Sequence, residues 1–168
     1  MNIIIEKTRI LQPISKLVGI TEKRSIMPIL SNILLSLGPE GCAVYCTDLE
    51  ISGIAFLDII SDEPRKMVIH GRKFVDILRE MDNGDIDITV DENVLALRQK
   101  QTEFVIALQD PDEFPEVRDI QGAEGFVVGS GVFRDMVERV TFAVSTDEAR
   151  HVLTGMFMEA KEGILKVV

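Results

Sequence analysis

The 168-residue sequence lacks most of the patterns on which catalytic chemistry is built. It has two cysteines, Cys42 and Cys46, and both fall in one predicted strand, "CAVYC". Four residues of strand separate two backbones by roughly 13 Å, whereas a disulfide tolerates no more than about 7 Å between Cα atoms. The two cannot pair with each other, and they read as small core residues. The two histidines, His70 and His151, are isolated from them, which leaves no metal-ligand set and no triad. No strand-to-helix glycine loop occurs, since "GPEG" and "GAEG" read as hairpin or linker turns. There is no run of the roughly 18 apolar residues that a membrane span needs. The start, "MNIIIEKTRI", has charges where a signal peptide is apolar. A cytoplasmic protein with no membrane partner, no metal and no cofactor is expected. Disorder is excluded too, because 46% of the residues are hydrophobic and 27% charged.

What the chain does have is a repeat. "PILSNILLSL" (28–37) reads as one strand, and Ile29–Leu35 aligns with Val152–Met158 of "HVLTGMFMEA", 123 residues later. Three segments carry helical periodicity. Phe74, Ile77, Leu78 and Met81 form one apolar set, and Phe133, Met136, Val137 and Val140 another. Leu11, Ile14 and Val18 hold three of the same positions, so the offsets are 63 and 59 residues. Pro13 predicts that the first helix starts near it or kinks there. Each helix follows a short β-like run ("NIIIE", "KMVIH", "GFVVG") and precedes a hairpin with a turn signal, "GPEG", "DEN" or "KEG". The runs "ISGIAFLDII" and "EFVIALQD" complete the first two copies.

The unit is thus β-α-β-β-β, about 60 residues long, and the fold class is α+β, with helices on one side of antiparallel sheets. Residues 1–118 should be one domain of two units related by a pseudo-two-fold. The acidic stretch "QDPDEFPEVRDIQGAEG" reads as a linker centred on residues 119–123. Residues 124–168 hold a single unit, an incomplete second domain, and "GILKVV" stops inside a strand. An N-terminal fragment is expected, with its third unit either poorly ordered or paired with its counterpart in another chain.

Charge is unevenly spread. The net charge is −10, yet the three helical segments hold eight cations against five acids, so they sum to +3 and the remainder to −13. Equivalent helices in a repeat protein share one side, so a basic face on an acidic body is expected, suited to a polyanion. The best carboxylate pair is Asp48 and Glu50 in "TDLE", predicted to share a strand face. It leaves open a metal-dependent enzyme, and a small β-rich protein-interaction module is the other alternative.

"KRSIMPILSNILL" with "TDLE" downstream, "GRKFVDILREM", "PDEFPE" and "FAVSTDEARHVLTGMFME" together resemble the bacterial DNA polymerase III beta subunit, the replicative sliding clamp. They occur in that family's order and spacing. The resemblance implies the clamp fold and a non-catalytic processivity factor. Its members have six such half-domains, and two subunits close head to tail into a homodimeric ring around duplex DNA, helices lining the hole. The implied partners are duplex DNA without sequence preference, a second subunit, and DNA polymerase III and clamp-loader subunits bound through peptide motifs. Arg24 and Arg72 match DNA-contacting positions, and Lys7, Arg134 and Arg139 are helix cations expected to join them. Lys73, Ile77 and Phe104 match the subunit interface, and Arg150 and Leu153 one wall of the partner-peptide pocket. His151 and Val152 stand where many members have aromatic residues.

Overall fold

Each half of the first unit opens with a strand that runs directly into a helix. The first half is β1 (Asn2–Glu6), α1 (Lys7–Leu17), β2 (Asn32–Gly38), β3 (Gly41–Thr47) and β4 (Ser52–Leu57). The second is β5 (Arg65–His70), α2 (Gly71–Glu80), β6 (Asp85–Val90), β7 (Val94–Gln99) and β8 (Thr102–Ala107). The computed structural model describes residues 1–21, 27–116 and 125–168 and separates two units, 1–119 and 120–168. Among the described residues, no helix is long and apolar enough to cross a membrane.

The last residue of each leading strand caps the helix that follows. The Glu6 carboxylate accepts from the Thr8 N–H at 2.9 Å, and His70 Nδ1 accepts from the Lys73 N–H at 3.3 Å. Each cap satisfies one of the orphan donors of a helical first turn. An isolated histidine in the sequence thus has a structural use. Pro13 neither starts nor ends α1, which begins six residues before it and continues four past it. Its ring removes the donor for the Arg9 carbonyl, and the burial of Ile10, Ile14 and Leu17 on one face holds the helix through that gap.

Two four-stranded antiparallel sheets form, in the orders β4-β3-β2-β5 and β1-β6-β7-β8. The leading strands are exchanged. β5 opens the second half yet pairs with β2 of the first, Ile33 opposite Ile69. β1 opens the first half yet pairs with β6 of the second, Ile3 opposite Ile88. One core lies between these elements, built from alternate residues of the strands and the apolar faces of both helices. Ile14, Ile33, Val44, Phe74, Leu78, Ile86 and Leu97 have no exposed surface; full burial of such a side chain contributes about 1.5–3 kcal/mol. The helices pack against each other. Gly53 lets β4 approach α1 closely, since a Cβ there would lie 2.6 Å from Ile20 Cδ1.

The helical register differs from the sequence expectation by one residue. Ile10, Ile14 and Leu17 are buried, and so are Phe74, Leu78 and Met81, an offset of 64 and not 63. Leu11 and Ile77, placed on the core face by periodicity, are half-buried. The caps Glu6 and His70 set the phase.

Cys42 and Cys46 sit two positions either side of Val44 on the inner face of β3, both buried and free. Burial pushes the Cys42 thiol up to about 11 and raises that of Cys46. Both should resist a thiol reagent at pH 8 in the folded protein and react once denaturant is added, as a colorimetric thiol assay would register. The raised folded-state pKa has a second consequence. Its contribution to stability is fully present below the unfolded value and is lost as pH climbs from about 9 toward 11.

"PILSNILLSL" is not one strand. Pro28–Ser31 forms a 3₁₀ turn, with Pro28 supplying the fixed φ of a helical start, and the strand begins at Asn32. The linker reading is also corrected at its start. The Gln109 N–H donates to the Val68 carbonyl at 2.9 Å, Asn32 Nδ2 donates to Gln109 Oε1 at 2.6 Å, and Phe114 is buried against Ile29, Leu30 and Val68 on the outer face of β2 and β5. Residues 119–123 lie outside the described residues.

The second unit contains α3 (Ser130–Thr141), a 3₁₀ segment (Glu148–Leu153), β9 (Met158–Lys161) and β10 (Ile164–Val167). A 3₁₀ segment ahead of a hairpin repeats the arrangement around Pro28–Gly38. The ladder extends by reciprocal bonds of 2.9 Å between Phe157 and Val168. "GFVVG", expected as a leading strand, is not one: 125–129 has no regular structure. The first unit supplies the reason. A leading strand there pairs with the hairpin of the other half, and no such hairpin is present for 125–129 among the described residues.

Candidate nucleic-acid interface

The outward faces of α1 and α2 carry the candidate contacts. On α1, Thr8, Arg9, Gln12 and Lys16 are exposed; on α2, Lys73, Asp76, Arg79 and Glu80 are. Arg9 Nη2 lies 2.7 Å from Asp58 Oδ2, and Arg79 Nη1 lies 3.4 Å from Asp76 Oδ1. Lys16 and Lys73 carry no ion pair among the described residues. Exposed pairs contribute about 0–1 kcal/mol and break readily, so Arg9 and Arg79 remain available to a stronger polyanion. Lys16 was not singled out by sequence; its signal is the polar stripe Arg9, Gln12, Lys16 opposite the buried Ile10, Ile14 and Leu17.

Lys7 does not belong to that surface. Its residue is 7% exposed, and Nζ donates to the carbonyls of Met81 at 2.5 Å and Arg79 at 3.2 Å. The last carbonyls of a helix have no intrahelical partner and carry the negative end of its dipole, so an ammonium there is favourable. Arg72 acts in the reverse direction. It is half-buried, and Nη2 donates at 3.4 Å to the carbonyl of Thr21, just past the end of α1. Each helix therefore sends a first-turn cation to the far end of the other. Nε of Arg72 is buried without a hydrogen-bond partner among the described residues. Arg24 lies outside the described residues.

In the second unit, Arg134 and Arg139 project from α3 and are exposed. Arg150 Nε pairs with Asp147 Oδ2 at 2.9 Å, and Leu153 and Val152 are exposed. Of the residues matched to a subunit interface, Lys73 and Ile77 lie one turn apart on α2, and Phe104 lies on β8, an edge strand.

Asp48 and Glu50 do not share a strand face. β3 ends at Thr47, and 48–51 form a turn in which Asp48 Oδ1 accepts from the N–H groups of Glu50 (3.0 Å) and Ile51 (2.6 Å). The carboxylate is used in holding the turn, as aspartates do. Among the described residues, no group of three His, Cys, Asp or Glu could hold a metal ion.

Residues 1–118 match the model of the DNA polymerase III beta subunit, N-terminal domain. The chain belongs to this family. It is similar along its whole length to the beta sliding clamps of Pseudomonas aeruginosa (29% identical) and Pseudomonas putida (28%), and covers 46% of each. The crystal structure of the DNA polymerase III subunit beta from P. aeruginosa superposes with a TM-score of 0.89 at 28% identity, over 99% of this chain and 46% of that one. The chain thus spans about half the length of these family members. The fold expected from the resemblance is the one observed.

Proposed function

We propose that this chain is part of a sliding clamp, a non-catalytic subunit that raises the processivity of a replicative DNA polymerase by encircling duplex DNA. The observation that carries the reading is the match to beta sliding clamps over the whole of the chain. The adjacent helices with exposed Lys16 and Lys73 support it. Lys16, Arg24, Arg134 and Arg139 would meet phosphates, which carry no sequence information and so permit sliding; Arg72 would join them only by releasing the Thr21 carbonyl. The surplus acid elsewhere would keep the outer surface off DNA. Lys73, Ile77 and Phe104 would contribute to closing a ring with a second subunit. Arg150 and Leu153 would form part of a pocket for peptides of the polymerase and clamp loader. Work on the chromosome implies a cytoplasmic location.

The test is duplex binding by fluorescence anisotropy on several unrelated sequences. Affinity should be weak, equal among sequences, and lower by about 40-fold between 50 and 200 mM salt if three phosphates are contacted. Lys16→Ala with Arg24→Ala should lower it alike on all of them and flatten the salt slope by about 0.9 per lost contact. Sequence preference, or tight binding indifferent to salt, would refute the reading.

A further inference from the structure

The turn between α2 and β6 holds the one Asn-Gly pair of the sequence, Asn83–Gly84. Asn83 is exposed, and its side-chain amide makes no hydrogen bond among the described residues. The Gly84 N–H has no acceptor among them either. Gly84 has a φ of +118°, in the region that glycine alone enters freely, and a Cβ built on it would have nothing within 4 Å. The chain around this pair is tied down by its carbonyls. The Lys7 N–H donates to the Gly84 carbonyl at 3.0 Å and Lys7 Nζ to that of Met81 at 2.5 Å. Gln99 Nε2 donates to the carbonyls of Asp82 and Asp85, each at 3.1 Å. The ends of the turn are held, while the amide and the N–H at its middle are open to water.

We propose that Asn83 is a site of spontaneous covalent modification, which alters this turn as the protein ages. The Gly84 nitrogen, on losing its proton to hydroxide, attacks Cγ of Asn83. The new N–C bond closes a succinimide ring, and ammonia leaves. Glycine favours this step because no Cβ shields the attacking nitrogen. Water then adds to one of the two ring carbonyls. Opening on one side restores the ordinary main chain with an aspartate side chain. Opening on the other routes the main chain through the former side chain, as isoaspartate. The first product places a negative charge between Asp82 and Asp85. The second also lengthens the main chain by a methylene between carbonyls that Lys7 and Gln99 hold in place, so bonds on one side of it must be given up. Lys7 ties the start of α1 to the end of α2, and that junction is what the modification loosens.

Incubation of the folded chain at mildly alkaline pH, followed by peptide mass mapping, tests this. The peptide containing Asn83 should gain the mass of an amide-to-acid change at a rate proportional to hydroxide. It should also accept methyl groups from an isoaspartyl-specific methyltransferase. Asn93, equally exposed in the β6–β7 turn but followed by Val94, is the internal control and should stay an amide. Asn83→Gln should abolish both signals, since the longer amide closes a ring far more slowly. The isoaspartyl form, separated by anion exchange, should unfold at a lower urea concentration than the Asn83→Asp chain, which carries the charge without the extra methylene. The proposal is overturned if Asn83 converts in urea but persists in the folded chain, or if Asn93 converts as fast. Equal urea midpoints for the isoaspartyl form and the Asn83→Asp chain would overturn it too. None of these readouts involves DNA, so the clamp reading stands or falls separately.

Discussion

Phe74→Ala should remove about 3–5 kcal/mol from the first unit, a large share of the roughly 5–15 kcal/mol that holds a typical domain together. Phe74 is fully buried on α2 and belongs to the core shared by both sheets. Its ring already borders a small cavity lined by Ile10 of α1, Leu35, Leu37 and Cys42 of one sheet, and Ile88, Val90 and Leu95 of the other. Truncation would enlarge that void, and its apolar lining offers water nothing to bond. Strands tied at both ends into ladders cannot move in to fill it. Thermal unfolding by circular dichroism should fall by roughly 15–25 °C on the scale of a domain of this size. Phe74→Leu should cost far less, about 1–1.5 kcal/mol. A loss below about 1 kcal/mol for the alanine variant would show that the core is not organised around this ring.

The second large effect concerns Lys7. Lys7→Met keeps the apolar stem and removes the donors, leaving the Arg79 and Met81 carbonyls at the end of α2 without their cation. Hydrogen bonds to charged groups contribute about 1.5–3 kcal/mol each, and a buried acceptor left alone costs about 1–3 kcal/mol. A total near 3 kcal/mol, read as a fall in the urea midpoint with unchanged slope, is expected. Were Lys7 a phosphate contact instead, stability would hold and only the salt dependence of DNA binding would change. The two roles therefore give opposite results in the same pair of measurements.

These two residues also mark how far the sequence is legible. Phe74 announces itself through spacing, because apolar residues at helical period mark the face of a helix that packs on a core. A lysine in a helical first turn does not, since periodicity says which face is wet but not what lies beyond the helix end. The hairpins are readable from their turns, and the Asp48 turn is not, because an aspartate at a strand end looks the same whether it points to solvent or bonds its own backbone. Leading strands were visible as β-like runs, while their exchange was not. Pairing of Ile3 with Ile88 is a contact between distant stretches, and local pattern carries no address for a partner. The same limit explains "GFVVG", whose composition suits a strand that only a second hairpin could make. Of the candidate site, residue types were legible and accessibility was not. The exposed Lys16 and the buried Lys7 have the same side chain and sit on the same helix.

The exchange of leading strands also sets an order of events during synthesis. β1 leaves the ribosome well before its partner β6, with Glu6 paired to Asp85 at one end of the ladder and Asn2 to Thr89 at the other. The sheet β4-β3-β2 can assemble from neighbours as it emerges, but β1, made before it, is seated only once β6 appears. Until then "NIIIE" is an apolar edge-seeking segment carried on a growing chain, exposed to any other strand nearby. Glu6 at its end and Lys7 and Arg9 just beyond are charges of the kind that oppose such pairing.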